Sequence, residues 1–183
     1  MSVAYLNFHA PINPLTVQHF MSTCGTLVSE GHSGVYLCLS THGGDVHSGI
    51  TLYNFLRALP IHVTTHNLGS IDSIGNAMFL AGERRIACKH STFMFHGVGF
   101  DLKAGARFEA KNLREIQDAM IADQQRIASI IVERTAITND QARELFTEAR
   151  TKNADDALKH GIIDDISDLS IPAGAPILTL VFN

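Results

Sequence analysis

The stretch Gly34-Val35-Tyr36-Leu37-Cys38-Leu39-Ser40-Thr41-His42-Gly43-Gly44 decides the fold. From Gly34 to Ser40 it is a nearly unbroken run of aliphatic and aromatic residues, as expected of a strand covered on both faces. A glycine pair follows, and residues 46–59 then show a helical pattern ended by Pro60. Strand, glycine turn and helix in that order make half of a βαβ unit, so an α/β fold around a mostly parallel sheet is expected.

Working outward, Val3 to Phe8 reads as a first strand and Pro14 to Ser29 as a helix with Asn13 as its cap. Downstream come a strand at 61–68, a short helix at 73–82 closed by Gly82, and strands at Ile86 to Cys88 and Thr92 to Phe95. Residues 107–135 carry Leu113, Ile116, Met120, Ile127 and Ile131, a 3/4/7 spacing that lays one apolar stripe along a long helix. That stripe must be covered either by its own domain or by a second copy of the chain. Helices at 138–148 and 154–160, capped by Thr138 and Asn153, precede a strand at Gly161 to Asp164. The apolar run Pro176 to Phe182 needs a pairing strand to avoid aggregation. With no repeat or linker, residues 1–183 are expected to form a single domain.

Composition narrows the function. With 45% hydrophobic and 17% charged residues, 183 residues can bury about 70% of the unfolded surface. The net charge is −4 and Lys and Arg are scattered, which argues against nucleic acid. Cys24, Cys38 and Cys88 are odd in number and sit in apolar surroundings, so they read as reduced core thiols. The chain has no basic start before an apolar segment and no run of about 18 apolar residues, so a cytoplasmic chain with no membrane partner is expected.

Ser73 lies in Gly69-Ser70-Ile71-Asp72-Ser73-Ile74-Gly75, where a strand-to-helix turn would expose its hydroxyl beside helix N–H groups suited to an oxyanion. A plain helix cap is the structural alternative. His96 follows the apolar strand and precedes Gly97-Val98-Gly99, a place suited to a general base or to a structural hydrogen bond. The two lie 23 residues apart, enough for a helix, a turn and two short strands to bring them together. In Ser40 to Asp45 the glycines let backbone approach a bound carbonyl, whereas neither G-x-G-x-x-G nor a Walker lysine supports nucleotide binding. His62 and His66 would share a strand face without a third ligand, so no metal is expected.

These motifs together resemble the Clp protease proteolytic subunit of the ClpP/crotonase superfamily over nearly the whole chain. Its Asn-Ser-Pro-Gly-Gly matches Ser40 to Gly44, its Gly-x-Ala-Ala-Ser-Met-Gly-Ala matches Gly69 to Asn76, and its Met-Ile-His-Gln-Pro matches Met94 to Val98. Its later Ala-x-Glu-Ala and Gly-Leu-Ile-Asp match Ala154 to Ala157 and Gly161 to Asp164. The resemblance implies repeated β-β-α units and a projecting handle helix at 107–135. It implies a serine-type endopeptidase with Ser73 as nucleophile, His96 as base, and the amides of Gly44 and Ile74 as oxyanion hole. Gly97 to Lys103, with Gly97, Val98, Gly99 and Phe100 foremost, would pair with substrate backbone. It implies no cofactor, a peptide or unfolded-protein substrate, and a homo-oligomer of stacked rings enclosing a chamber.

The chain also departs from the pattern. Gap-free matching puts Ala149 where the family has its third catalytic Asp, and Glu148 replaces that acid only after a one-residue slip. Asp72 and Asn76 stand for family alanines, and His42 stands for its proline; Asp72 reads as a cap of the following helix. The match begins at the family's second structural segment, so contact with an ATP-dependent unfoldase does not carry over, and residues 165–183 form a divergent tail. Two other readings follow from these features: a weakened or inactive scaffold subunit, and an acyl-CoA enzyme of the crotonase branch.

Overall fold

The computed structural model describes residues 2–100 and 107–180. Its first half alternates as the sequence suggests: β1 (Val3–His9), α1 (Pro14–Ser29), β2 (Gly34–Thr41), α2 (Val46–Ala58), β3 (His62–Asp72) and α3 (Gly75–Leu80). Then come β4 (Arg84–Ala87), β5 (Thr92–Met94), α4 (Ala110–Arg134), α5 (Asn139–Glu148), β6 (Thr151–Asn153), α6 (Ala154–Lys159), β7 (Asp165–Ile166) and β8 (Ile177–Thr179). The main path through the sheet runs β6-β5-β3-β2-β1-β8, parallel throughout except for β5–β6. β3 is long enough to fork: its first half pairs with β4 and its last residues, Ser70 to Asp72, pair with β5. This fork carries the chain through Asp72 to the edge where the candidate nucleophile sits.

Alternation across the sheet builds the core. Ala4, Leu6 and Phe8 of β1, with Leu37 and Leu39 of β2, are buried, and Phe8 meets Phe20 of α1 edge-on at 5.7 Å between ring centroids. On the other face, Tyr36 stacks on Tyr5 and its hydroxyl lies 2.8 Å from His66 Nδ1. His66 Nε2 lies 3.0 Å from the Ser167 carbonyl, which can only accept, so the ring proton sits on Nε2 and Nδ1 accepts from Tyr36. Burial of this fully enclosed imidazole lowers its pKa from the usual 6.5. The unfolded chain therefore binds a proton that the folded chain refuses, so stability is intact above pH 6.5 and falls as the pH drops through and below it. Urea midpoints measured between about pH 5 and 8 should show this decline, and His66→Gln should flatten it. Equal slopes in parent and variant would exclude His66 as its source.

Several boundaries differ from the sequence reading for local reasons. The strand expected at Gly161 to Asp164 falls instead at Asp165–Ile166, because Gly161 takes a left-handed φ of 66° and Ile162 N–H returns to Ala157 O to close α6. The short helix begins at Gly75 rather than at residue 73, since β3 continues through Asp72. β6 was not anticipated; its run Thr-Lys-Asn has no apolar signal. The apolar tail finds its partner in β1, although residues 181 and 182 lie outside the described residues. The long helix divides its stripe: Ile127 and Ile131 are buried on their own domain, Ile116 and Met120 are half-buried, and Leu113 is 56% exposed.

Candidate active site

Ser73 occupies a sharp turn between β3 and α3. Its φ of +56° places a non-glycine residue in left-handed backbone, at a cost of about 1–3 kcal/mol that surrounding contacts must offset. Ser73 N–H donates to Met94 O at 2.9 Å, and the buried Asn76 side-chain amide donates to Ser73 O at 3.0 Å and Met94 O at 2.8 Å. The position taken by a small alanine in the family pattern thus holds the elbow closed against β5. The cap reading of Ser73 does not hold: the residue that caps α3 is Ile74, and it makes no side-chain cap bond. Nor does Asp72 cap this helix. It ends β3 and turns its carboxylate to His42, with Nδ1 and Oδ2 3.2 Å apart, so two departures from the family pattern are one cross-strand pair.

The glycine turn after β2 lies against this elbow. A Cβ on Gly43 would come within 2.7 Å of Ser73 Cβ and 3.2 Å of Ile74 N, and one on Gly44 would fall 2.1 Å from Ile12 O. Ile12 N–H donates to Gly43 O and Asp45 N–H to Ile12 O, both at 2.8 Å, which uses the backbone on either side of the Gly44 N–H. Among the described residues neither the Gly44 N–H nor the Ile74 N–H has an acceptor. Gly44 and Ile74 line, together with Ser73 and His96, a cavity of about 210 Å³. Asp45 fixes the start of the following helix by accepting from Ser48 N–H at 2.8 Å, and the Ser48 hydroxyl first, with this N–H, holds its carboxyl below the usual range. Gly44→Ala should therefore displace this strand-to-turn contact and cost roughly 2–4 kcal/mol in unfolding free energy, read from a chemical denaturation curve. A variant as stable as the parent would refute the close approach.

His96 is exposed at the end of β5, and its Nδ1 lies 2.7 Å from the Gly97 carbonyl. No hydrogen bond joins it to Ser73; the cavity they share separates the two groups. Gly97 is tied by its N–H to Phe146 O at 3.0 Å, and Val98 and Gly99 continue along the cavity. Phe100 instead lines an adjoining cavity of about 690 Å³ with Ile12, Val98, Ala119 and Met120. Among the described residues, 97–100 pair with no strand, and 101–103 of the expected substrate strand lie outside the described residues.

Glu148 is not brought to His96. It ion-pairs with Arg150 and lines a different cavity, with Glu144, Lys152 and His160. β5–β6 pairing runs Thr92↔Asn153 to Met94↔Thr151, and Phe95 N–H to Arg150 O continues it; the same register carried one residue further puts Ala149, not Glu148, opposite His96. Ala149 has a left-handed φ of 48°. Sequence reasoning missed the cavity walls Ile127 and Phe146, since apolar residues on helices look like core residues until the helices are placed. Of the paired histidines, His62 joins Glu83 at 2.8 Å while His66 faces Tyr36. Among the described residues no three His, Cys, Asp or Glu side chains could hold a metal, and no helix is long and apolar enough to cross a membrane.

Residues 4–170 match the family model Clp protease. Similar curated proteins include the ATP-dependent Clp protease proteolytic subunits of Chlorella vulgaris and Deinococcus radiodurans. The first is 26% identical over 145 residues, 75% of this chain and 68% of that protein. The second is 25% identical over 143 residues, 73% of this chain and 65% of that protein. A solved structure of a ClpP1 mutant from Listeria monocytogenes superimposes with a TM-score of 0.79 and 18% identity, covering 90% of this chain and 91% of that one.

Proposed function

The chain belongs to the Clp protease family, and from that premise we propose that it is a serine-type endopeptidase whose machinery is Ser73, His96 and the amides of Gly44 and Ile74. One observation carries this reading: a single cavity is lined by a strained, partly exposed serine, an imidazole, and two residues, Gly44 and Ile74, whose N–H groups have no acceptor among the described residues. His96 takes the Ser73 hydroxyl proton as the oxygen bonds to a peptide carbonyl carbon. The carbonyl π pair moves onto its oxygen, which the two amides receive. Collapse of that intermediate returns the proton to the leaving amine, and water repeats the sequence to release the acyl group. Beyond the anchored Gly97, the segment 98–100 runs along the cavity rim, where its backbone can pair with an extended peptide.

A fluorophosphonate should label Ser73, and a peptide chloromethyl ketone should alkylate His96, each located by mass spectrometry of the digested chain. Absence of both adducts on folded protein would count decisively against the peptidase. The exposed Leu113 and Ile121 on the outer part of α4, with Phe100, support self-association into the chambered assembly the family likeness implies. A second reading, a weakened scaffold subunit, draws on Ala149 at the acid position and on Glu148 being held by Arg150. The parent's own turnover separates the two.

A further inference from the structure

We infer that the backbone carbonyl of Gly97 takes the part of the missing carboxylate, orienting His96 and fixing its tautomer. The inference rests on the peptidase reading for its consequence, though not for its geometry. A histidine base works only if Nε2 carries the lone pair, and free imidazole has no such restriction: either nitrogen can hold the proton. In a serine triad the acid removes this ambiguity by accepting from Nδ1–H. Here the acid position is Ala149, which has no polar side-chain atom, and Glu148 is engaged with Arg150. Yet Nδ1 is not without a partner: it lies 2.7 Å from Gly97 O. A carbonyl oxygen can only accept, so this contact requires the proton on Nδ1 and leaves the lone pair on Nε2.

The acceptor is itself held. Gly97 N–H is anchored on Phe146 O at 3.0 Å, and Phe95 N–H on Arg150 O at 3.2 Å, so both neighbours of His96 are pinned to the segment that ends α5. A Cβ at residue 97 would meet the movable amide end of Gln124 at 2.8 Å and Phe146 O at a tight 3.3 Å, so glycine eases the close approach of this chain to α5. When His96 takes the Ser73 proton on Nε2, Nδ1–H remains on the carbonyl dipole, which stabilises the imidazolium more weakly than a full negative charge. A neutral acceptor therefore supplies tautomer and orientation with less charge stabilisation, and Gly97 acts as a positioning residue.

The test is a tautomer measurement on the full chain. With 15N-labelled histidine, long-range proton–nitrogen correlation spectra recorded above the imidazole titration distinguish Nδ1–H from Nε2–H. His96→Gln identifies the signal among the ten histidines. The expected result is a protonated Nδ1 and a bare Nε2; a protonated Nε2, or nitrogens averaged by exchange, overturns the inference. Replacing Val98 by its α-hydroxy analogue converts the Gly97 carbonyl to a weaker ester acceptor. The Val98 N–H thereby lost has no acceptor among the described residues. This substitution should shift the His96 signal toward the Nε2–H form and lower kcat by roughly three- to tenfold, while KM rises because the lost Val98 N–H belongs to the substrate-pairing segment; the tautomer shift is therefore the deciding readout. An unmoved tautomer overturns it equally. Should Ser73 resist the fluorophosphonate while His96 shows the Nδ1–H form, the peptidase reading fails and the positioning contact stands.

Discussion

Ser73→Ala is expected to lower peptide hydrolysis by about 10³-fold or more, to whatever background the amides and the binding cleft sustain. The change removes the only group in the cavity able to form an acyl bond next to His96. Structural collapse would not explain such a loss, because alanine at a φ of 56° has the same Cβ crowding as serine and the bonds of Asn76 to the elbow are to backbone carbonyls. Ser73→Gly sharpens the argument. Glycine adopts left-handed backbone freely, so this variant should be equally inactive yet about 1 kcal/mol more stable than Ser73→Ala, raising Tm by roughly 2–4 °C. An inactive enzyme that melts later is the signature of strain held for function. Fluorogenic peptide turnover and differential scanning calorimetry on the three proteins decide it; parental turnover by Ser73→Ala would end the hydrolase reading.

What could be read from the sequence follows the range of the interactions involved. β2, its glycine turn and α2 are legible because burial on both faces, a turn and a cap each act within a few residues. Ser73 and His96 were legible for the same reason: each ends a local element, and the family likeness orders them. The His42–Asp72 pair was not, since residues thirty apart meet only through the β2–β3 register, and Asp72 considered alone looks like a helix cap. Asn76 is the same kind of case. A polar residue in a short helix gives no sign that its amide will bridge two carbonyls across the elbow until β5 lies alongside. Glu148 answers to the acid position only through a one-residue slip, and the antiparallel register of β5 with β6, carried past Phe95–Arg150, puts position 149 rather than 148 opposite His96.

Ala149→Asp should raise kcat at least about tenfold, within the roughly 10⁴ that the acid of a serine triad can contribute, with KM little changed. Three features of the site argue for it. Carried one step past the Phe95–Arg150 bond, the pairing register puts position 149 opposite His96, and opposed residues of an antiparallel pair have Cβ atoms about 4.5–5.5 Å apart, within a carboxylate's reach of Nδ1. The backbone there is already left-handed, a conformation that Asp tolerates better than Ala, so the substitution should not destabilise the chain. Finally, Nδ1–H now rests on a neutral carbonyl; a negative charge in its place stabilises the imidazolium formed in the transition state, where the carbonyl gives only a dipole. The added charge should also move the acidic limb of the kcat/KM profile upward in pH, because a nearby carboxylate favours protonated His96. Ala149→Asn supplies the same shape and left-handed tolerance without the charge, so it should neither raise kcat comparably nor shift the profile. Hydrolysis appearing in Ala149→Asp where the parent shows none would identify the parent as the weakened subunit. Equal kcat in parent, Asp and Asn variants, with unchanged pH limbs, would show that His96 does not work as a base from this position.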